Sequence, residues 1–343
     1  MPMSLLVSNK IRNMGFVCAM LVVFIHVGKP SIVGSGGWWL YQLTADGLSR
    51  IAVPFFSLCS GFFLAKHFTD NGWWVVAVRK RIWTLCVPYL LWSLLFYAFM
   101  SVLYFISPDN PACWRIRPNA SLFQKVLLAT GLSSEKLPLL YPLWYVRFLF
   151  LLVFLSPIFA VIARHSKTTL ITVTGILYLV FNPGDGSPIG VHIGVPFEAL
   201  FYFCCGLLIV DENIRSKIKL LFSTWAGFVA LILIILRAVL LYKGFQEVYL
   251  LKPVYIFLGI IGMWYIIPSR VWSPRIVALS FLVYVTHLFG LNLYNFVFKC
   301  GGSDDVLLLT GRICFDLVFA FVVSYFLKNI IGRRVAMLWG GRK

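Results

Sequence analysis

Apolar stretches about as long as a bilayer's hydrocarbon core is thick recur from one end of this chain to the other, with only short polar breaks between them. A soluble core cannot bury so much apolar chain. The 343 residues are 60% hydrophobic and 12% charged, with 31 Phe and 12 Trp, which is the balance of a chain solvated by lipid. We therefore expect an all-α polytopic membrane protein, one membrane-embedded domain over residues 1–343 with no soluble domain or linker. The first apolar helix follows Asn9, Lys10 and Arg12 and has no small-residue cleavage site after it, so it reads as a retained anchor.

At about 20 apolar residues per span, a bundle of about ten transmembrane helices falls near 13–29, 47–65, 82–106, 142–163, 168–183, 194–210, 220–241, 253–267, 276–298 and 306–331. The formal net charge of +18 is scattered through the polar breaks, so it points to topology and not to nucleic acid. With the N-terminus inside, most of the basic residues share its side, among them Lys10, Arg12, Lys66, Arg164, Lys217 and Arg333. The positive-inside rule then places both termini in the cytoplasm.

Six of the eight cysteines lie within predicted helices and show no metal-ligand spacing, so they read as small apolar residues and no metal is expected. Cys113 and Cys300 fall in outer loops, where a disulfide forms only in an oxidising compartment.

Charged and polar groups inside the spans constrain function. His26 ends the first helix; Arg50, Arg147, Arg237 and Arg312 lie within helices, with Glu198, His287 and Asp316, and Asp46 stands at the mouth of the second. Each must face other helices or a wet cavity, because hydrocarbon does not solvate it. Chain direction puts Arg50, Arg147, Glu198, His26 and Arg237 in the outer half of the membrane and His287 nearer its middle. Arg312 and Asp316, spaced i, i+4, are suited to pair with each other. Arg79-Lys80-Arg81 stands before the third helix and is either an orientation signal beside anionic lipid or a cradle for phosphate.

Four stretches in order resemble the acyltransferase-3 family of bacterial membrane acyltransferases. They are Val22-Val23-Phe24-Ile25-His26; Arg50-Ile51-Ala52-Val53-Pro54-Phe55-Phe56-Ser57-Leu58-Cys59-Ser60-Gly61-Phe62-Phe63; Lys80-Arg81 with Pro88-Tyr89-Leu90-Leu91-Trp92; and Pro142-Leu143-Trp144-Tyr145-Val146-Arg147, with an echo in Tyr284-Val285-Thr286-His287. Two positions depart from the pattern. Gly15 stands where the family carries an arginine eleven residues before the histidine, and Thr84 stands at the second of two arginines three apart. Arg12 does not replace the missing group, since it lies about 21 Å from His26 along a helix axis and is turned about 60° from position 15.

The resemblance implies a multi-pass enzyme of the bacterial inner membrane. Acetyl-CoA in the cytoplasm is the implied donor, and a hydroxyl of a surface or lipid-linked carbohydrate is the acceptor. Arg12, Arg79, Lys80 and Arg81 are then the candidates for holding the cofactor phosphates. His26 acts either as general base or as transient acyl acceptor, with Asp46 or Glu198 holding its tautomer and Arg147 or Arg50 answering the oxyanion. Asp46, Arg50, Trp144, Tyr145, Arg237 and His287 are candidate acceptor contacts, Trp144 either stacking on a sugar or packing in the bundle. Gly61 reads as a close helix contact, and the outer stretch from Ser107 to Leu140 as the place for acceptor selectivity. The rival reading is a transporter or flippase using the same buried polar groups.

Overall fold

The computed structural model describes residues 5–110, 113, 115–131, 138–181, 196–248, 250–270, 272–298 and 303–331. Among these the regular structure is entirely helical: α1 (Leu5–Ile25), α2 (Gly36–Leu43), α3 (Ala52–Ala65), α4 (Trp73–Arg81), α5 (Val87–Ile106), α6 (Leu122–Thr130), α7 (Trp144–Phe154), α8 (Ser156–His165), α9 (Lys167–Phe181), α10 (Phe197–Ile209), α11 (Glu212–Leu221), α12 (Trp225–Tyr242), α13 (Leu251–Ile266), α14 (Pro274–Val277), α15 (Ser280–Phe298) and α16 (Val306–Ile331). Two 3₁₀ turns, Leu48–Ile51 and Tyr141–Leu143, lead into α3 and α7, and a π-helical stretch, Ile82–Cys86, joins α4 to α5.

Among the described residues, six helical stretches are long and apolar enough to cross a membrane: Leu5–Ile25, Gly36–Ala65, Trp73–Ile106, Trp225–Tyr242, Ser280–Phe298 and Val306–Ile330. The helices α7 and α8 pass the same test as a pair, bent by 55°. Three shorter apolar helices, α9, α10 and α13, complete the set. Large apolar side chains such as Phe105, Phe228 and Leu307 stand exposed along these helices, as a lipid-facing surface requires.

Several expected boundaries move, and local chemistry explains them. The expected helix at 142–163 breaks at Leu155 because Pro157 sits in the first turn of α8 and cannot continue the preceding ladder. Residues 36–43, expected in an outer loop, form α2. Helix α6 interrupts the expected loop from Ser107 to Leu140; its start carries a capping box, Ser121 with Gln124, and its end carries Gly131 at φ 68°. Helix α1 stops at Ile25, so His26 stands in the turn just beyond the helix. The ends of the expected helices at 168–183 and 194–210, and Cys300 of the expected disulfide, lie outside the described residues.

The chain divides into two compact units. One comprises Met1–Ile25, Trp39–Val78 and Leu151–Ala278. Its tightest crossing is α3 on α10, where glycines face backbone reciprocally: a Cβ on Gly61 would strike the Phe203 carbonyl, and one on Gly206 the Leu58 carbonyl. Without a hydrophobic drive between helices in lipid, such close van der Waals contact is what holds them. The fully buried Asn13 ties α1 to the segment after α13, its Nδ2 donating to the carbonyls of Pro268 (3.0 Å) and Arg270 (2.8 Å).

The other unit comprises His26–Trp38, Arg79–Phe150 and Leu279–Lys343. Helices α5 and α15 run in the same direction and meet through Phe289, which packs on Trp92 and Phe96; Asn110 beyond α5 donates to the Phe296 carbonyl. Helix α16 returns along α15, with Thr286 Oγ1 3.3 Å from Ser324 Oγ. Outside the helices, the Asp304 carboxylate accepts hydrogen bonds from Ile32 N–H (2.7 Å) and Ser31 Oγ (2.7 Å). Those donors hold its carboxyl below the usual carboxylate range.

Candidate functional site

In the second unit, His26 meets two rings from distant parts of the chain. Its ring lies nearly parallel to that of His287, centroids 5.2 Å apart at 14°, while Tyr141 meets it edge-on at 4.7 Å and 82°. Beneath, His287 Nδ1 contacts the Tyr284 carbonyl at 2.8 Å, and the Tyr284 hydroxyl donates to the Pro142 carbonyl. His26 is half-buried and His287 fully buried. A substrate meeting this cluster therefore meets His26; the ring of His287, expected among the acceptor contacts, lies behind it.

One side of the same unit is organised by Tyr89. Its hydroxyl donates to the Thr130 carbonyl at 2.9 Å and is hydrogen-bonded to Arg147. Arg147, itself exposed, also donates from NH1 to the Gly131 carbonyl at 2.9 Å. The left-handed end of α6 thus supplies the acceptor for a membrane arginine. Trp144 is half-buried and meets the buried Tyr145 at 5.9 Å, edge to face.

The basic cluster ends α4, where Arg79 and Lys80 are exposed and Arg81 is half-buried. Phe289 on Trp92 fixes the level of α15 against α5. Arg81 precedes Trp92 by eleven residues, so it stands roughly 15 Å along the helix axis from the level of the histidine pair. Arg12, on α1 in the first unit, is exposed. Position 15 faces Phe56, with a Cβ there 3.9 Å from the ring.

The first unit holds a separate network. Arg50 donates from Nε (2.9 Å) and NH2 (2.6 Å) to Asp46 Oδ1, and Arg237 NH2 donates to Oδ2 (2.7 Å). Arg237 also grips both oxygens of Glu247, and NH1 reaches Gln42 at 3.2 Å. Two arginines and two carboxylates thereby neutralise one another around a guanidinium only 5% exposed. Both oxygens of Asp46 are committed to arginines. Glu198 accepts from the Tyr178 hydroxyl at 3.0 Å and lies 3.9 Å from Lys252 Nζ. Sequence reasoning missed Glu247, Gln42 and Tyr178. Glu247 carried a signal, an acidic residue in the short break ten residues after a membrane arginine.

Arg312 and Asp316, expected to pair through their charges, act on each other electrostatically. Both are buried, at 3% and 1% exposure, yet neither Asp316 oxygen accepts a hydrogen bond. The guanidinium lies 6.0 Å from the centre of the Tyr294 ring. Ser60 donates to the Phe56 carbonyl at 2.8 Å, which leaves it a helix-capped hydroxyl.

An acyltransferase domain model matches residues 11–328, nearly the whole of this bundle. The chain belongs to the acyltransferase-3 family. Among its relatives is the succinoglycan biosynthesis protein ExoH of Rhizobium meliloti (strain 1021), 27% identical over 239 residues. That alignment covers 67% of this chain and 61% of ExoH, so the chain spans about three-fifths of the length of that relative. No solved structure gives a significant match. Within the acyltransferase-3 family the six long apolar stretches make this a multi-pass membrane protein.

Proposed function

We propose that this protein is a membrane O-acyltransferase that moves an acetyl group from acetyl-CoA to a hydroxyl of a surface or lipid-linked carbohydrate. The observation that carries the reading is His26, a half-exposed imidazole in an aromatic niche at the end of the family's first apolar run. ExoH, named for succinoglycan biosynthesis, supports a polysaccharide acceptor.

In this reading the long helices, the bent α7–α8 pair and the three shorter apolar helices make ten spans, with both termini in the cytoplasm and the protein in a bacterial inner membrane. The basic residues Arg79, Lys80 and Arg81 then face the cytoplasm and take the phosphates of acetyl-CoA. His26 removes the proton from the acceptor hydroxyl, and the oxygen attacks the thioester carbonyl. As the carbon–sulfur bond breaks, the imidazolium returns that proton to the CoA thiolate, leaving a sugar ester and free CoA thiol. Arg147, in the same unit as His26, supplies positive charge to the oxyanion. Asp46 is engaged by arginines at both oxygens.

The test is to incubate the purified protein with acetyl-CoA and with glycans from cells lacking the gene, following free CoA and acetylated sugar by mass spectrometry. Acceptor-dependent release of CoA is the expected result. Glycan movement across vesicles without thioester consumption would overturn the reading in favour of a transporter.

A further inference from the structure

His26 stands in the turn just beyond α1. Its ring has two contacts of different kind, stacked at 14° on His287 and edge-on at 82° to Tyr141. Two such contacts define the plane of an imidazole. They come from different elements, α15 and the 3₁₀ turn Tyr141–Leu143.

A hydrogen bond fastens those elements together at this point. Tyr284, one helical turn before His287 on α15, donates its hydroxyl to the carbonyl of Pro142, the residue after Tyr141. The backbone that positions Tyr141 is thereby fixed to the helix that positions His287.

The identity of residue 287 needs a reason beyond packing. A carbonyl only accepts, so the contact with Tyr284 O places a proton on His287 Nδ1. Nε2 is then left buried with no partner, a standing cost that a phenyl or leucine side chain would not carry. With no exposed surface, His287 acts on chemistry only through the ring it touches.

We propose that His287 and Tyr284 are positioning residues that together form a platform for His26, the ring of His287 setting its plane and the Tyr284 hydroxyl locking the platform to Tyr141. The proposal rests on the reading of His26 as the reacting base. Neither residue touches substrate.

The experiment uses the full-length protein in detergent and compares wild type with His287→Ala, His287→Phe, Tyr284→Phe and His26→Ala. Ethoxyformylation of His26 by diethylpyrocarbonate is timed by peptide mass spectrometry, with the exposed His165 as internal reference. His26 is expected to react about tenfold faster in His287→Ala and Tyr284→Phe, and at close to the wild-type rate in His287→Phe, which keeps a flat ring. In acetyl transfer to the glycan extract, kcat is expected to fall about tenfold or more in His287→Ala and Tyr284→Phe with KM for acetyl-CoA unchanged, the signature of misplacement. Wild-type modification rates and kcat in both variants, with activity lost in His26→Ala, would overturn the platform and leave the His26 reading standing. Activity retained in His26→Ala would overturn that reading, while the modification rates would still decide the platform.

Discussion

The imidazoles of His26 and His287, 261 positions apart in the sequence, lie face to face at 5.2 Å. One is half-exposed and the other wholly buried, so in the proposed mechanism the first reacts and the second supports it. Replacing His26 by Ala is expected to abolish acetyl transfer while the protein still inserts and elutes as a single species from a sizing column. Transfer at the wild-type rate would remove His26 from the mechanism.

Neutralising Arg79, Lys80 and Arg81 together to Gln is expected to raise KM for acetyl-CoA about tenfold or more, with kcat little changed, because phosphate contacts bind ground state and transition state alike. Arg79 and Lys80 are exposed, so the substitution disturbs no packing at those two positions. An unchanged KM would reduce the cluster to an orientation signal.

Arg237 holds Asp46, Glu247 and Gln42 at once. Arg237→Met strands two carboxylates, of which Glu247 has no other ion-pair partner among the described residues, and is expected to cost about 3 kcal/mol. Thermal unfolding in detergent reads the loss, and adding Glu247→Gln should restore part of it. A midpoint unchanged by Arg237→Met would mean that water already satisfies these groups.

The chain's long apolar helices were legible because sustained hydropathy is a local property; α5, α12 and α16 fall where it places them. The breaks were less so. Pro157 was visible, but the same residue type at Pro54 sits inside a continuous candidate span, so proline alone does not announce a break. The family's motif residues were legible one at a time, whereas their groupings depend on packing. Nothing local says that His26 meets His287, that Arg237 meets Glu247 across the α12–α13 break, or that Arg312 lies over Tyr294.

The Gly61 and Gly206 contacts meet backbone carbonyls, which no rotamer change relieves. Gly61→Leu is expected to lower the yield of folded protein sharply, and Gly206→Ala to cost about 1–3 kcal/mol. Detergent unfolding curves would show it; an unshifted Gly206→Ala midpoint would mean that α3 and α10 separate freely.

Asp304 anchors the loop that follows His26 through Ile32 and Ser31. Because its folded pKa is lowered, its contribution is complete above the unfolded carboxylate value of about 3.9 and is lost as pH falls through the folded one. Asp304→Asn should therefore unfold more easily than wild type throughout the range above that value, and the gap should close as the medium is acidified below it. A gap that persists at lower pH would assign the effect to packing and not to charge.

The π-helical stretch between α4 and α5 acts as a gear. In an unbroken α-helix, Arg81 and Tyr89, eight residues apart, would point about 80° away from each other; one residue absorbed by the wider turn brings them to within roughly 20°. Pro88, which lacks an N–H to give the preceding turn, stands just beyond that stretch. One withheld hydrogen-bond donor thus swings the cationic end of the helix onto the face of the tyrosine that holds Arg147.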